Sequence, residues 1–153
     1  MRALILALAA TAALSLVGCA STASHLGNHI TTPNVDHQAL AAEAVNQIAA
    51  LWPPAKTQLD LKQATPDPFG AALIAGLRER GYALMEYSPT SASTPQSEAS
   101  ATSALALSYL LDESQTTPVL FRVTLTIGSQ AITRPYMNQD GKLYPAGYWV
   151  RKE

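Results

Sequence analysis

The chain has 153 residues, 48% hydrophobic and 14% charged, with a formal net charge of −1. That length suggests one domain plus appendages. A near-neutral balance offers no strong field to nucleic acid or anionic lipid, so direct nucleic-acid binding is not expected. The single cysteine rules out an intramolecular disulfide.

Met1 and Arg2 are followed by an uncharged run from Ala3 to Val17, interrupted in apolar character only by Thr11 and Ser15. One basic residue before a short apolar run is the pattern of a secretory signal. The run is about fifteen residues, short of the ~20 that a permanent spanning helix needs. Leu16-Val17-Gly18-Cys19 follows directly. It resembles the bacterial lipobox, in which a small residue precedes a cysteine. That resemblance implies a signal peptide over 1–18, cleavage between Gly18 and Cys19, and a diacylglycerol thioether plus an amide-linked acyl chain on Cys19. Three chains give stable anchoring, at ~0.8 kcal/mol per buried CH₂. Ala20, where an aspartate would favour inner-membrane retention, points to the outer membrane, facing the periplasm. Losing Arg2 with the signal leaves 9 basic residues against 11 acidic ones.

From Ala20 to Pro33 the sequence is small, polar and unpatterned, which reads as a flexible tether over 19–35. His25 and His29 lie within it and His37 just beyond. Gly27 interrupts the pair and no acidic or thiol partner is near, so solvated histidines are expected rather than a metal site. A domain over 36–153 follows. Asp36 to Leu51 has helical spacing at Leu40, Ala44, Ile48 and Leu51, with Asn34 or Asp36 as cap and Trp52-Pro53-Pro54 as stop. Trp52 either anchors the helix or marks a partner contact.

Lys56 to Gln63 alternates as a half-buried strand, with Leu59 and Leu61 inward. Thr65-Pro66-Asp67-Pro68 opens a second helix, to about Arg80, capped by Asp67 and closed by Gly81. Its apolar stripe is Phe69, Leu73, Gly76 and Leu77. Tyr82 to Tyr87 is a second strand. Residues 88–103 contain no large apolar side chain and read as a low-complexity loop inside the domain. Leu105 to Leu111 and Val119 to Ile127 alternate as third and fourth strands, with Asp112-Glu113 as a polar turn at a strand end. Gly128-Ser129 turns into a fifth strand near Gln130 to Met137. Asp140-Gly141 is another turn signal. Leu143 to Val150 forms an edge strand, since Pro145 is unsuited to a central one.

The expected fold is α+β: a small, mostly antiparallel sheet with one or two helices on one face. The strand–helix–strand–strand–strand order resembles the small ring-forming domains of secretion-channel components, as an analogy of fold. No nucleophile elbow, zinc-protease motif, phosphate loop or dinucleotide fingerprint is present. No catalytic residue, metal ligand, small-molecule substrate or cofactor is therefore expected beyond the covalent lipid on Cys19. Tyr136, Tyr144, Tyr148 and Trp149, with Arg134 and Arg151, are residue types enriched at binding hot spots. They either contact a partner or close the bottom of the core.

The lipobox, Leu51-Trp52-Pro53-Pro54-Ala55-Lys56-Thr57, Asp67-Pro68-Phe69-Gly70, Leu77-Arg78-Glu79-Arg80-Gly81-Tyr82 and Leu143-Tyr144-Pro145-Ala146-Gly147-Tyr148-Trp149 together resemble the TrbH family of conjugative mating-pair-formation lipoproteins. The likeness implies a structural component of a type IV secretion apparatus for plasmid transfer, with other channel subunits as partners. It carries no catalytic residues. The rival reading is a periplasmic ligand-binding or envelope-maintenance lipoprotein unrelated to conjugation.

Overall fold

The computed structural model describes residues 25–89, 104–117, 119–140 and 142–152. The signal segment, Cys19 and most of the 88–103 loop lie outside the described residues. The elements run β1 (Gly27–Asn28), α1 (His37–Leu51), a 3₁₀ turn (Pro54–Lys56), β2 (Gln58–Leu61), α2 (Pro68–Glu79) and β3 (Ala83–Met85). There follow β4 (Leu105–Glu113), β5 (Leu120–Ile127), β6 (Gln130–Gln139), β7 (Lys142–Pro145) and β8 (Val150–Lys152).

Each helix begins where a side chain can satisfy an orphan amide. The Asp36 carboxylate accepts from Ala39 N at 2.9 Å, and Asp67 accepts from Gly70 N at 3.0 Å with Pro68 in the first turn. Gly81, at φ +85, reverses the chain after α2. The helices pack on each other closely because Gly76 leaves room for Val45: a Cβ there would stand 3.0 Å from Val45 Cγ2. Leu40, Ala44 and Ile48 are buried as their spacing predicts, whereas Leu51, at the helix end, is exposed.

The sheet order is β3-β2-β4-β5-β6-β7, with β1 also on β4 and β8 also on β6. The sheet is mixed. β2 runs parallel to both β3 and β4, β1 is parallel to β4, and the β4–β5–β6 meander and both strands on its far edge are antiparallel. β4 thus has its one edge shared: β2 covers Leu105 to Leu107 and β1 covers Leu110 and Leu111.

Register puts Leu59, Leu61, Leu107, Tyr109, Leu111, Phe121, Val123, Leu125, Ile127, Ile132 and Tyr136 on one face, all buried with the helices' apolar stripes. The opposite face carries Ser108, Leu110, Thr124, Thr126, Thr133, Pro135 and Met137, all partly exposed. Small hydroxylated and β-branched side chains suit such a half-solvated pleat.

Three expectations need correction. The tether over 19–35 is not free from residue 27 on: β1 pairs with β4, His29 N donates to Leu111 O at 2.8 Å, and Val35 is buried, so the ordered domain begins before residue 36. Asp112 and Glu113 are the last residues of β4 rather than a turn. The tail forms two short strands, β7 and β8, because residues 146–149 fall between the two stretches that pair with β6.

Candidate functional site

Three polar clusters brace this fold. Two lie at its core margin, each built on a tyrosine of the helix-covered sheet face. Tyr109, on β4, is 1% exposed and its hydroxyl donates to Asp67 Oδ2. Asp67 uses its other oxygen to cap α2, so one carboxylate ties the helix start to the sheet centre. Gln63 Oε1 accepts from Tyr109 N at 3.0 Å, while its Nε2 is buried without a hydrogen-bond partner among the described residues. Burial first, then the Asp67 bond and charge, pushes the Tyr109 phenol well above its ordinary range.

Tyr136, on β6, repeats the arrangement. Its hydroxyl donates to Glu43 Oε2, on α1, at 2.8 Å, and the same oxygen accepts from Arg134 Nη1 at 3.1 Å. The Arg134 guanidinium stands 5.6 Å from the Tyr136 ring centroid and its Nε donates to Gly147 O at 2.9 Å. Burial, then Glu43, raises the Tyr136 phenol strongly, with Arg134 opposing. This group fastens helix, sheet and C-terminal turn together.

The third cluster holds the N-terminal segment. The Glu113 carboxylate accepts from Thr31 N at 3.2 Å, Thr32 N at 3.1 Å, Thr32 Oγ1 at 3.0 Å and the Thr31 hydroxyl. The Thr31 hydroxyl bond, first among these, holds the Glu113 carboxyl below the usual carboxylate range. In each cluster the carboxylate is engaged by hydrogen bonds that join separate elements of the fold.

The four residues read together as a partner contact separate. Tyr136 is 1% exposed and belongs to the core, and Trp149 is packed against it. Tyr148 is 90% exposed and Tyr144 is 48% exposed. Arg134 is engaged as above, and Arg151 lies on β8 opposite Ile132. The separation follows from register. Tyr144 pairs with Met137 and so shares the face opposite Tyr136. Trp52 is partly buried against the core, and its carbonyl accepts from Tyr82 Oη at 2.6 Å.

Among the described residues, two surface hollows are lined in part by groups named above. One of about 450 Å³ is lined by Asp112, Glu113, Leu120, Arg122, Thr133 and Pro135 among others, with Arg122 and Asp112 paired at 2.5 Å. The other, about 330 Å³, lies between Asp36 and Ala39 of α1 and Lys142 to Tyr144 of β7. Among the described residues no three potential metal ligands come together, and no helix is long and apolar enough to cross a membrane. His37 Nδ1 faces Asn28 Nδ2 at 3.5 Å.

A family model described as conjugal transfer protein TrbH matches residues 21–153. The chain belongs to the TrbH family. No curated protein and no solved structure matches it.

The segments that carried the TrbH resemblance are the turning points of the fold. Trp52 receives the Tyr82 bond; Asp67 and Gly70 meet Tyr109; Gly81 reverses the chain; Gly147 accepts from Arg134. Glu43 and Glu113 escape a reading of the sequence. Each looks like an ordinary surface acid on its own element, and its partners lie 91 and 82 residues away.

Proposed function

We propose that this TrbH-family chain is an outer-membrane lipoprotein, facing the periplasm, that acts as a structural subunit of a conjugative type IV secretion apparatus for plasmid transfer. The family match over residues 21–153 carries this reading. The lipobox Leu16 to Cys19 supplies the anchor. The bracing role of the Asp67, Glu43 and Glu113 clusters fits a domain that works by binding and holding, not turnover. Its partners are the bilayer, through Cys19, and other channel subunits.

Cross-linked cell envelopes, with the protein pulled down and its companions identified, test the assembly role. Type IV secretion channel subunits are expected. Recovery of envelope-maintenance proteins alone overturns the conjugation role in favour of the rival one. Deletion of the gene lowers plasmid transfer; unchanged transfer with intact channel subunits counts equally against the proposal. Cys19→Ser moves the protein out of the outer-membrane fraction, and a variant that stays there refutes the anchor.

A further inference from the structure

The sheet face left bare by the helices ends, on its far margin, in a strip of mixed chemistry. In β7, Lys142 pairs with Gln139 and Tyr144 with Met137; in β8, Val150 pairs with Thr133 and Lys152 with Ala131. Those registers send all four side chains to the bare face, because the partners on β6 alternate with buried Ile132 and Tyr136. In the turn between the two strands Tyr148 is 90% exposed, and Val150 and Tyr144 on the flanking strands are 59% and 48% exposed.

An exposed aromatic on a loose loop would say little, but this turn is pinned. Arg134 Nε holds Gly147 O, Ala146 N donates to Pro135 O at 2.9 Å, and Trp149 is packed on the core. Tyr148 is therefore presented outward at low further cost in conformational entropy.

From these observations we infer that the strip Lys142, Tyr144, Tyr148, Val150 and Lys152 is a peripheral contact for an anionic phospholipid surface. It rests on the lipoprotein reading for its geometry. Only six residue-to-residue steps separate Cys19 from His25, the first described residue. They span about 20 Å at full extension, so a domain anchored at Cys19 stays against the bilayer. The strip lies four inter-strand steps from β1, ~19 Å across the sheet, which that tether accommodates.

Lysines beside tyrosines suit the headgroup layer, where amphipathic rings and cationic side chains both find partners. Asp36 and Asp140 flank the strip and Glu153 follows Lys152 in sequence, and the Asp36 carboxylate keeps its charge while it caps α1, so the contact rests on the tyrosines and lysines together rather than on charge alone. The near-neutral charge of the whole chain does not oppose the contact, because screening confines it to charges within about 8–10 Å of the surface.

The test uses the chain from Ala20 onward, without lipid. Among the described residues its core runs from Val35 to Tyr136 and its strands from Gly27 to Lys152, so it retains the whole fold. Sedimentation with vesicles of phosphatidylethanolamine and phosphatidylglycerol, against phosphatidylcholine alone, reads the contact directly. Binding to the anionic vesicles, weakened by salt, is expected. Each of Lys142→Gln and Lys152→Gln lowers partitioning about fivefold, Tyr148→Ser lowers it too, and Lys56→Gln, off the strip, leaves it unchanged. No binding by the parent chain, or equal binding by the strip variants, overturns the inference. So does a result in which the strip variants keep vesicle binding and lose a copurifying protein. Because the tested chain carries no lipid, its outcome is separate from that of Cys19→Ser.

Discussion

Gly70 sits at a tight approach of helix and sheet, and replacing it with alanine presses on the Asp67–Tyr109 brace and on Thr65. A Cβ at Gly70 would stand 2.7 Å from Thr65 Cβ and closer still to the Tyr109 hydroxyl oxygen. Accommodating it means forcing the phenol aside. Overpacking of this kind costs ~1–3 kcal/mol, and losing a hydrogen bond to a charged acceptor adds ~1.5–3 kcal/mol. Gly70→Ala should therefore destabilise by about 3 kcal/mol, lowering the melting temperature by roughly 12 °C at ~4 °C per kcal/mol. Denaturant unfolding of the chain from Ala20 gives the free energy. The decisive measurement is the cycle with Tyr109→Phe. That variant alone gives up the Asp67 bond but removes the nearer of the two groups Gly70→Ala collides with, leaving the Thr65 contact in place. The double variant should cost at least ~1 kcal/mol less than the two single costs combined. Additive effects within ~0.5 kcal/mol would mean that the hydroxyl is not what the glycine makes room for, and the account of the Asp67-Pro68-Phe69-Gly70 segment would fail.

Glu113→Gln should release the 27–32 segment while leaving the core folded, seen as lost amide protection at Thr31 and Thr32. Unchanged protection there would refute the clasp. Acid should act similarly: the Glu113 carboxyl is held below its ordinary 4.5, so its contribution is present above that value and is lost as pH falls through the lowered folded value. Tyr82, Tyr109 and Tyr136 have raised phenol values, so their stabilisation is complete below pH 10 and declines as pH rises beyond it. Absorbance titration should show these three ionising only with alkaline unfolding; ionisation in the folded protein near pH 10 would contradict their burial and bonding.

The helices and the meander were legible in the sequence because their signals are local. Asp36 and Asp67 cap within three residues, and Phe121 to Ile127 alternates strictly. What escaped depends on contacts distant in sequence. β1 is two residues long and owes its place to Leu110, Leu111 and Glu113. The parallel pairing of β2 with β4 leaves no mark in either strand's own pattern. The division of the tail aromatics turned on which residue of β6 each tail residue faces, a parity that composition does not encode. Of the four candidates, Tyr144 and Tyr148 remain available to a partner, and Tyr136 and Trp149 serve the interior.

The divided edge of β4 also has a mechanical meaning. A pull through the N-terminus is met first by β1, with two paired residues, the His29 bond and the Glu113 clasp. Beneath it, β2 is hydrogen-bonded on both sides and joined through α2 to the core, so it does not share that load. Releasing β1 and the Glu113 clasp lengthens the leader only as far as Val35, which is packed in the core just ahead of the Asp36 cap. Residues 25–34 thus form a short, resettable extension between an N-terminal attachment and the domain, yielding to tension before the fold does.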